Sequence, residues 1–204
     1  MPNTWIWISG WGICPDRFKA AAKSALPNYA HEVLAPTPDA IEAVLSSGAD
    51  RIGGYSLGSL ILLSEMSRIP EDVEVTCLAP FTAFCEESKL GGTTPLASLR
   101  MLQARLEKEP EKAIKLFYRL AALNDEPTDQ LPYSIEHLRW GLEQLAGLQA
   151  DTTLLSRAKG YVGLTDSFVR GTLLHSQWKK CALIDNCSHA YRELFASLPL
   201  IETF

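Results

Sequence analysis

The chain has 204 residues, 47% of them hydrophobic, which suffices for one buried core and leaves too little for two comfortable domains. A net charge of -5 and a pI near 5.4 argue against nucleic acid as a partner, and no apolar run approaches the ~20 residues that span a bilayer. The five cysteines, Cys14, Cys77, Cys85, Cys181 and Cys187, are scattered without a Cys-x-x-Cys pair and read as free thiols of a reducing cytoplasm, not as a disulfide framework or a metal site.

In chain order, residues 1–8 have no positively charged leader and read as a first strand rather than a signal peptide. That strand, over 4–9, ends in Gly10-Trp11-Gly12. A second strand over 31–35 is stopped by Pro36 and Pro38, and a helix follows over 38–47. A strand over 49–53 leads into Gly54-Tyr55-Ser56-Leu57-Gly58 and an apolar helix over 59–66, and a further strand over 73–79 is closed by Pro80. From 81 to 149 the strand signal disappears. Helices are predicted there over 96–106, 110–123 and 134–148, broken by Gly91-Gly92, Pro110 and Pro127. Strands return at 160–164 and 181–184, each followed by a helix. Near-continuous apolar strands alternating with helices predict a parallel sheet covered on both faces. The domain reading is a core of residues 1–80 and 150–204 with a helical insertion, 81–149, over one end of the sheet.

Gly54-Tyr55-Ser56-Leu57-Gly58 fits the nucleophile elbow Gly-x-Ser-x-Gly in the strand–turn–helix setting that the motif needs. A chain turning that sharply holds the serine in a strained conformation, and the two glycines leave room for the strand and helix to pack closely. A serine hydroxyl becomes a useful nucleophile only when a base takes its proton, and that base needs a carboxylate to fix its tautomer. On such a sheet the partners follow in the order Ser, Asp or Glu, His. Asp166, just past the strand at 161–164, and His189, just past the strand at 181–184, occupy those places. Asp166 is also a candidate N-cap for a helix beginning at Ser167-Phe168-Val169, a role compatible with the first. Asp185 and Asp151 are rivals for the acid. His31, His137 and His175 read as structural or solvated. The oxyanion hole needs two backbone N–H donors, for which Leu57, after the nucleophile, and Trp11, in the loop after the first strand, are placed. The Trp11 indole is also positioned to wall the substrate pocket.

Taken together, the Gly-Trp-Gly loop, the elbow and the Asp166/His189 tail resemble the α/β-hydrolase superfamily. Leu116-Phe117-Tyr118-Arg119-Leu120-Ala121 and Gly141-Leu142-Glu143-Gln144-Leu145 are similar to the lid of the pimeloyl-acyl-carrier-protein methyl ester esterase family of biotin synthesis. The resemblance implies a reduced α/β-hydrolase fold: a mainly parallel sheet of about six strands, helices on both faces and a helical lid. It further implies a cytoplasmic serine carboxylesterase that needs no cofactor and no metal. Ser56 is then the nucleophile, His189 the base, and Trp11 and Leu57 the oxyanion donors, with Phe117, Tyr118, Arg119, Leu120 and Ala121 lining the acyl channel. Departures from the superfamily pattern are Ser9 before the first glycine, Ser59 after the elbow, the absence of a proline after Asp166, and Ser188 before the histidine.

The partner expected is a small acyl ester, free or carried on acyl carrier protein, with neither nucleic acid nor membrane involved. Lys108, Lys112, Lys115 and Arg119 recur at helical spacing and offer one docking stripe for an acidic carrier, of which Lys112, Lys115 and Arg119 are the core. The opposing reading is an ordinary solvated face, since Glu107, Glu109 and Glu111 intersperse it. Two alternatives to the esterase stand beside it: hydrolysis of another acyl bond, as in a thioesterase or small-ester lipase, and a non-catalytic binding protein on the same scaffold.

Overall fold

The computed structural model describes residues 4–123 and 130–201, with side chains to residue 198. The predicted break at Pro127 and the leader reading of residues 1–3 lie outside the described residues. The elements run β1 (Thr4–Ile8), α1 (Pro15–Ala25), β2 (Ala30–Leu34), α2 (Ala40–Ser46), β3 (Arg51–Tyr55), α3 (Leu57–Ser64) and β4 (Glu74–Leu78). The chain then leaves the main sheet for β5 (Ala83–Cys85), β6 (Gly91–Thr94), α4 (Leu96–Lys108), α5 (Pro110–Leu120) and α6 (Ile135–Gly147). It returns through β7 (Ala158–Gly163), α7 (Gly171–Gln177), β8 (Cys181–Ile184) and α8 (Tyr191–Ile201).

Six strands form one parallel sheet in the order β2-β1-β3-β4-β7-β8, so the expected doubly covered α/β sheet is present. The order reverses at β1, whose two neighbours are β2 and β3. Loops leaving β1 and β3 therefore diverge there and open a crevice at the carboxyl ends of the strands. Both functional loops of the first half of the chain, Gly10-Trp11-Gly12 and the Ser56 turn, leave the sheet at this place. Both faces of β1 are buried: Trp5, Trp7 and Ile8 are fully enclosed, and the two indoles stack at 4.8 Å.

Local chemistry accounts for the helices. α1 starts with Pro15 and Asp16 in its first turn, ends near Lys23, and buries Phe18, Ala21 and Ala22 on one stripe. α3 is apolar all round, and its residues from Leu57 to Leu63 are all buried, as befits a helix enclosed on every side. α5 starts at Pro110 and turns Ala113, Ile114, Phe117 and Tyr118 inward, leaving Glu111, Lys112, Lys115 and Arg119 exposed.

The sequence reading needs three corrections. The stretch 81–149 contains two short parallel strands, β5 and β6, which pair only with each other. Helix α1 lies in a stretch left without an element. The segment after Asp166 is not helical: α7 begins at Gly171, and Asp166 accepts the Phe168 N–H at 2.8 Å in a local turn instead of capping a helix. No helix among the described residues is long and apolar enough to cross a membrane.

Candidate active site

Ser56 sits between β3 and α3 with φ 53° and ψ -114°. Positive φ in a residue carrying a Cβ stores on the order of 1–3 kcal/mol of strain, which the surrounding packing must hold. That packing is made by the two glycines of the elbow. A Cβ at Gly54 would lie 2.6 Å from the backbone of Gly58, and a Cβ at Gly58 would lie 2.0 Å from the Ile8 carbonyl oxygen. Ser59, in place of a third glycine, donates its hydroxyl to the Leu78 carbonyl at 3.0 Å and so ties α3 to β4.

The loops after β7 and β8 bring the other two groups to the serine. His189 Nε2 lies 3.0 Å from Ser56 Oγ, and His189 Nδ1 lies 2.7 Å from Asp166 Oδ2. With Nδ1–H donating to the carboxylate, Nε2 is left to accept the serine proton. The His189 and Asp166 side chains are fully enclosed, and Ser56 is 3% exposed. Thr165 donates both its amide and its hydroxyl to the Cys187 carbonyl, locking the two loops together. Tyr55 donates its hydroxyl to the His189 carbonyl at 2.8 Å. Ser188 gives its amide and its hydroxyl to Glu193 on α8, an anchor that a glycine there could make only through its amide. The edge of the Phe168 ring meets the imidazole at 5.1 Å.

The rival acids lie elsewhere. Asp151 is exposed and accepts from the Thr153 amide and hydroxyl, and Asp185 is exposed in the turn after β8. Of the other histidines, His31 is buried between the Trp7 indole N–H, which donates to its Nδ1, and the Leu26 carbonyl. Burial is the largest influence on it and holds its pKa below the ordinary histidine value. His175 Nδ1 meets the Cys181 carbonyl at the exposed end of α7, and His137 sits in the first turn of α6.

Among the described residues the backbone N–H groups of Trp11 and Leu57 have no hydrogen-bond acceptor. Leu57 is the first residue of α3, where a helix leaves its N–H groups unpaired, and Trp11 lies in the neighbouring loop across the strand-order reversal. Unpaired donors in a fully buried setting are costly unless something else accepts from them.

Beside Ser56, Asp166 and His189 lies an apolar cavity of about 600 Å³ between α4, α5 and the β5–β6 pair. Leu99, Leu102, Leu116, Leu145 and Phe84 line it, and Met101 and Leu120, 68% and 53% exposed, stand at its rim with Arg105 and Lys108. Phe117 and Phe168, stacked at 5.6 Å, separate it from the site: one ring touches the Trp11 indole, the other His189. Of the lid residues read as channel-lining, Phe117 and Leu120 line this cavity, whereas Tyr118, Arg119 and Ala121 do not. Helical periodicity is the reason: Tyr118 turns to the Gly12 carbonyl, Ala121 is buried in the core, and Arg119 is exposed. Trp11 likewise packs against Phe117 without lining the cavity.

The proposed docking stripe is divided. Lys108 ends α4 while Lys112, Lys115 and Arg119 ride on α5, and Lys112 is paired with Glu109. Among the described residues Lys115 and Arg119 have no ion-pair partner.

In sequence, the chain matches no family model and no curated protein. In structure it superposes on an esterase from Exiguobacterium antarcticum with a TM-score of 0.74 at 12% identity, over 98% of this chain and 91% of that one. An α/β-hydrolase from Sphaerobacter thermophilus gives 0.60 at 13% identity, over 99% and 93%. The bottromycin epimerase BotH, in complex with bottromycin A2, gives 0.61 at 12% identity, over 98% and 91%. An esterase and an epimerase on one scaffold show that this architecture does not by itself fix a reaction, which must be argued from the site. The fold is that of the α/β-hydrolases.

Proposed function

We propose that this protein is a serine carboxylesterase that hydrolyses a short acyl ester through an acyl-enzyme. The observation that carries the reading is the buried relay Ser56–His189–Asp166, at 3.0 and 2.7 Å, beside the unpaired amides of Trp11 and Leu57. His189 Nε2 takes the Ser56 proton as Oγ attacks the ester carbonyl carbon, and the carbonyl π electrons move onto oxygen. The Trp11 and Leu57 N–H groups receive that oxyanion. When the tetrahedral centre collapses, the alkoxide leaves with the proton held by His189, and the acyl group remains on Ser56. Water then repeats the cycle, giving its proton to His189 and releasing the acid, and Asp166 stabilises the imidazolium in both halves.

The acyl chain passes the Phe117–Phe168 pair and lies in the apolar cavity, with 81–149 as the lid. Arg105 and Lys108 at the rim, where Glu109 also lies 3.9 Å from Arg105, together with Lys115 and Arg119 on the outer face of α5, favour an ester whose far end is anionic or is attached to an acidic carrier. Within that class we place the methyl ester of a pimeloyl chain on acyl carrier protein, as in biotin synthesis, acted on in the cytoplasm, where the five free thiols are kept reduced. Steady-state rates on matched methyl esters and thioesters, free and carrier-bound, test the reading. The expected result is highest kcat/KM on the carrier-bound methyl ester, falling selectively when Lys112, Lys115 and Arg119 are reversed in charge and converging on the free ester at high salt. Equal rates on free and carrier-bound esters would contradict the carrier, and preference for thioesters would contradict the methyl ester.

A further inference from the structure

Gly10-Trp11-Gly12 is anchored mainly from outside the sheet. Its own backbone supplies one bond, Ile13 N–H to the Gly10 carbonyl at 3.2 Å. The remaining anchors come from the segment between β4 and β7. Tyr118 on α5 donates its hydroxyl to the Gly12 carbonyl at 3.0 Å. The Gly12 N–H donates to the hydroxyl oxygen of Tyr133, just ahead of α6, at 2.7 Å. The Trp11 indole N–H donates to the Leu138 carbonyl on α6 at 2.7 Å. At Gly141, the point where α6 comes closest, a Cβ would lie 2.7 Å from Trp11 Cδ1 and 3.1 Å from Leu57 Cδ2. One helix therefore rests on the side chains of both residues whose amides are unpaired.

Resting on the esterase reading for its chemistry, we propose that Tyr118 and Tyr133 are positioning residues of the oxyanion hole. They grip the two peptide groups flanking Gly12 and so, together with the Ile13 N–H on the Gly10 carbonyl of the preceding peptide group, hold the loop that aims the Trp11 N–H. Gly12 has φ +71°, a conformation that glycine reaches without strain and can also leave easily. A loop so permissive keeps one geometry only if its peptide groups are held, and an oxyanion donor is effective only when it needs no reorganisation. Tyr118 is buried and Tyr133 half-buried, and burial of its hydroxyl pushes the Tyr133 phenol well above its usual range, so Tyr133 keeps its proton at working pH. It follows that the segment over the sheet helps to hold the oxyanion loop.

Tyr118→Phe and Tyr133→Phe keep both rings and remove only the hydroxyls. The first readout is the rate at which an alkyl fluorophosphonate labels Ser56, since its phosphoryl oxygen occupies the oxyanion position. Each variant is expected to label about tenfold to a hundredfold more slowly than the wild type. The second readout does not depend on activity: exchange of the Gly12 amide should accelerate in Tyr133→Phe while the amides of β3 keep their protection. Wild-type labelling rates in both variants, or unchanged Gly12 exchange, overturn the clamp. Loss of protection throughout β3 would mean that the tyrosines merely hold the fold, and overturns it too. A wild-type protein that takes no fluorophosphonate contradicts the esterase reading instead, and the exchange measurement then decides the clamp alone.

Discussion

On the proposed esterase reading, Ser56 depends on one nitrogen of His189, and which nitrogen is free depends on Asp166. Replacing Asp166 with Asn keeps the size of the side chain but allows the amide to favour the wrong imidazole tautomer. We expect kcat to fall by about 10⁴-fold with KM little changed, while Asp185→Asn stays close to wild type because Asp185 is exposed and has no contact with the ring. Steady-state kinetics on both variants checks this, and the reverse pattern would contradict the assignment of the acid. His31 gives a prediction for stability. Its folded-state pKa is depressed by burial, so the unfolded chain binds the proton more readily. Its contribution is fully present above the ordinary value of about 6.5 and is lost as the pH falls through the folded-state pKa. Urea midpoints measured downward from about pH 8 should decline below about pH 6.5, and less steeply in His31→Gln; equal slopes would contradict it. Ser56, Asp166 and His189 were legible in the sequence because chain order and strand-end placement are written in it. Phe168, Tyr55 and Tyr133 were not: an aromatic that fences a cavity or props a loop has the same local signature as one that fills a core.

At the scale of elements, the elbow is held by close backbone packing. The backbone of α3 passes so close to β1 that a methyl group at Gly58 meets the Ile8 carbonyl carbon and oxygen and the Ser9 oxygen, none of which can rotate away. Gly58→Ala should therefore lower stability by about 3 kcal/mol or more and abolish activity, whereas Gly48→Ala, where nothing lies within 4 Å, should cost only its strained φ. Denaturant titration of the two variants measures the difference, and similar losses would show that the close contact is not what the glycine provides. Proline or glycine punctuates β1, β2, β3, β4 and β7 and makes them readable, while Lys179-Lys180 and Asp185-Asn186 bound β8. β5 and β6 escaped notice for the opposite reason: three and four residues long, one of them Gly91-Gly92-Thr93-Thr94, they carry neither apolar alternation nor β-branched enrichment over a readable length. In α4, Leu99, Leu102 and Leu106 form the buried face at helical spacing, but periodicity alone does not say that Leu99 and Leu102 face a cavity while Leu106 does not.

For the molecule as a whole, the parallel sheet places four loops from distant parts of the sequence, those after β1, β3, β7 and β8, at one crevice, and the segment between β4 and β7 closes over them and supplies the cavity. On the proposed esterase reading, substrate length is set by that segment. Leu102→Trp, which fills the cavity, should move the preferred acyl chain to shorter esters while leaving acetyl-ester turnover near wild type, as a chain-length series of p-nitrophenyl esters would show; an unchanged length profile would place the acyl chain elsewhere. The central claim, that Ser56 carries the acyl group, has a direct measurement. Protein mixed with a p-nitrophenyl ester and quenched within the first turnovers should gain the mass of one acyl group. After digestion that mass should lie on the peptide containing Ser56, and Ser56→Ala should gain none and release no acid. An acyl group on any other residue, or continued hydrolysis by Ser56→Ala, would contradict the account.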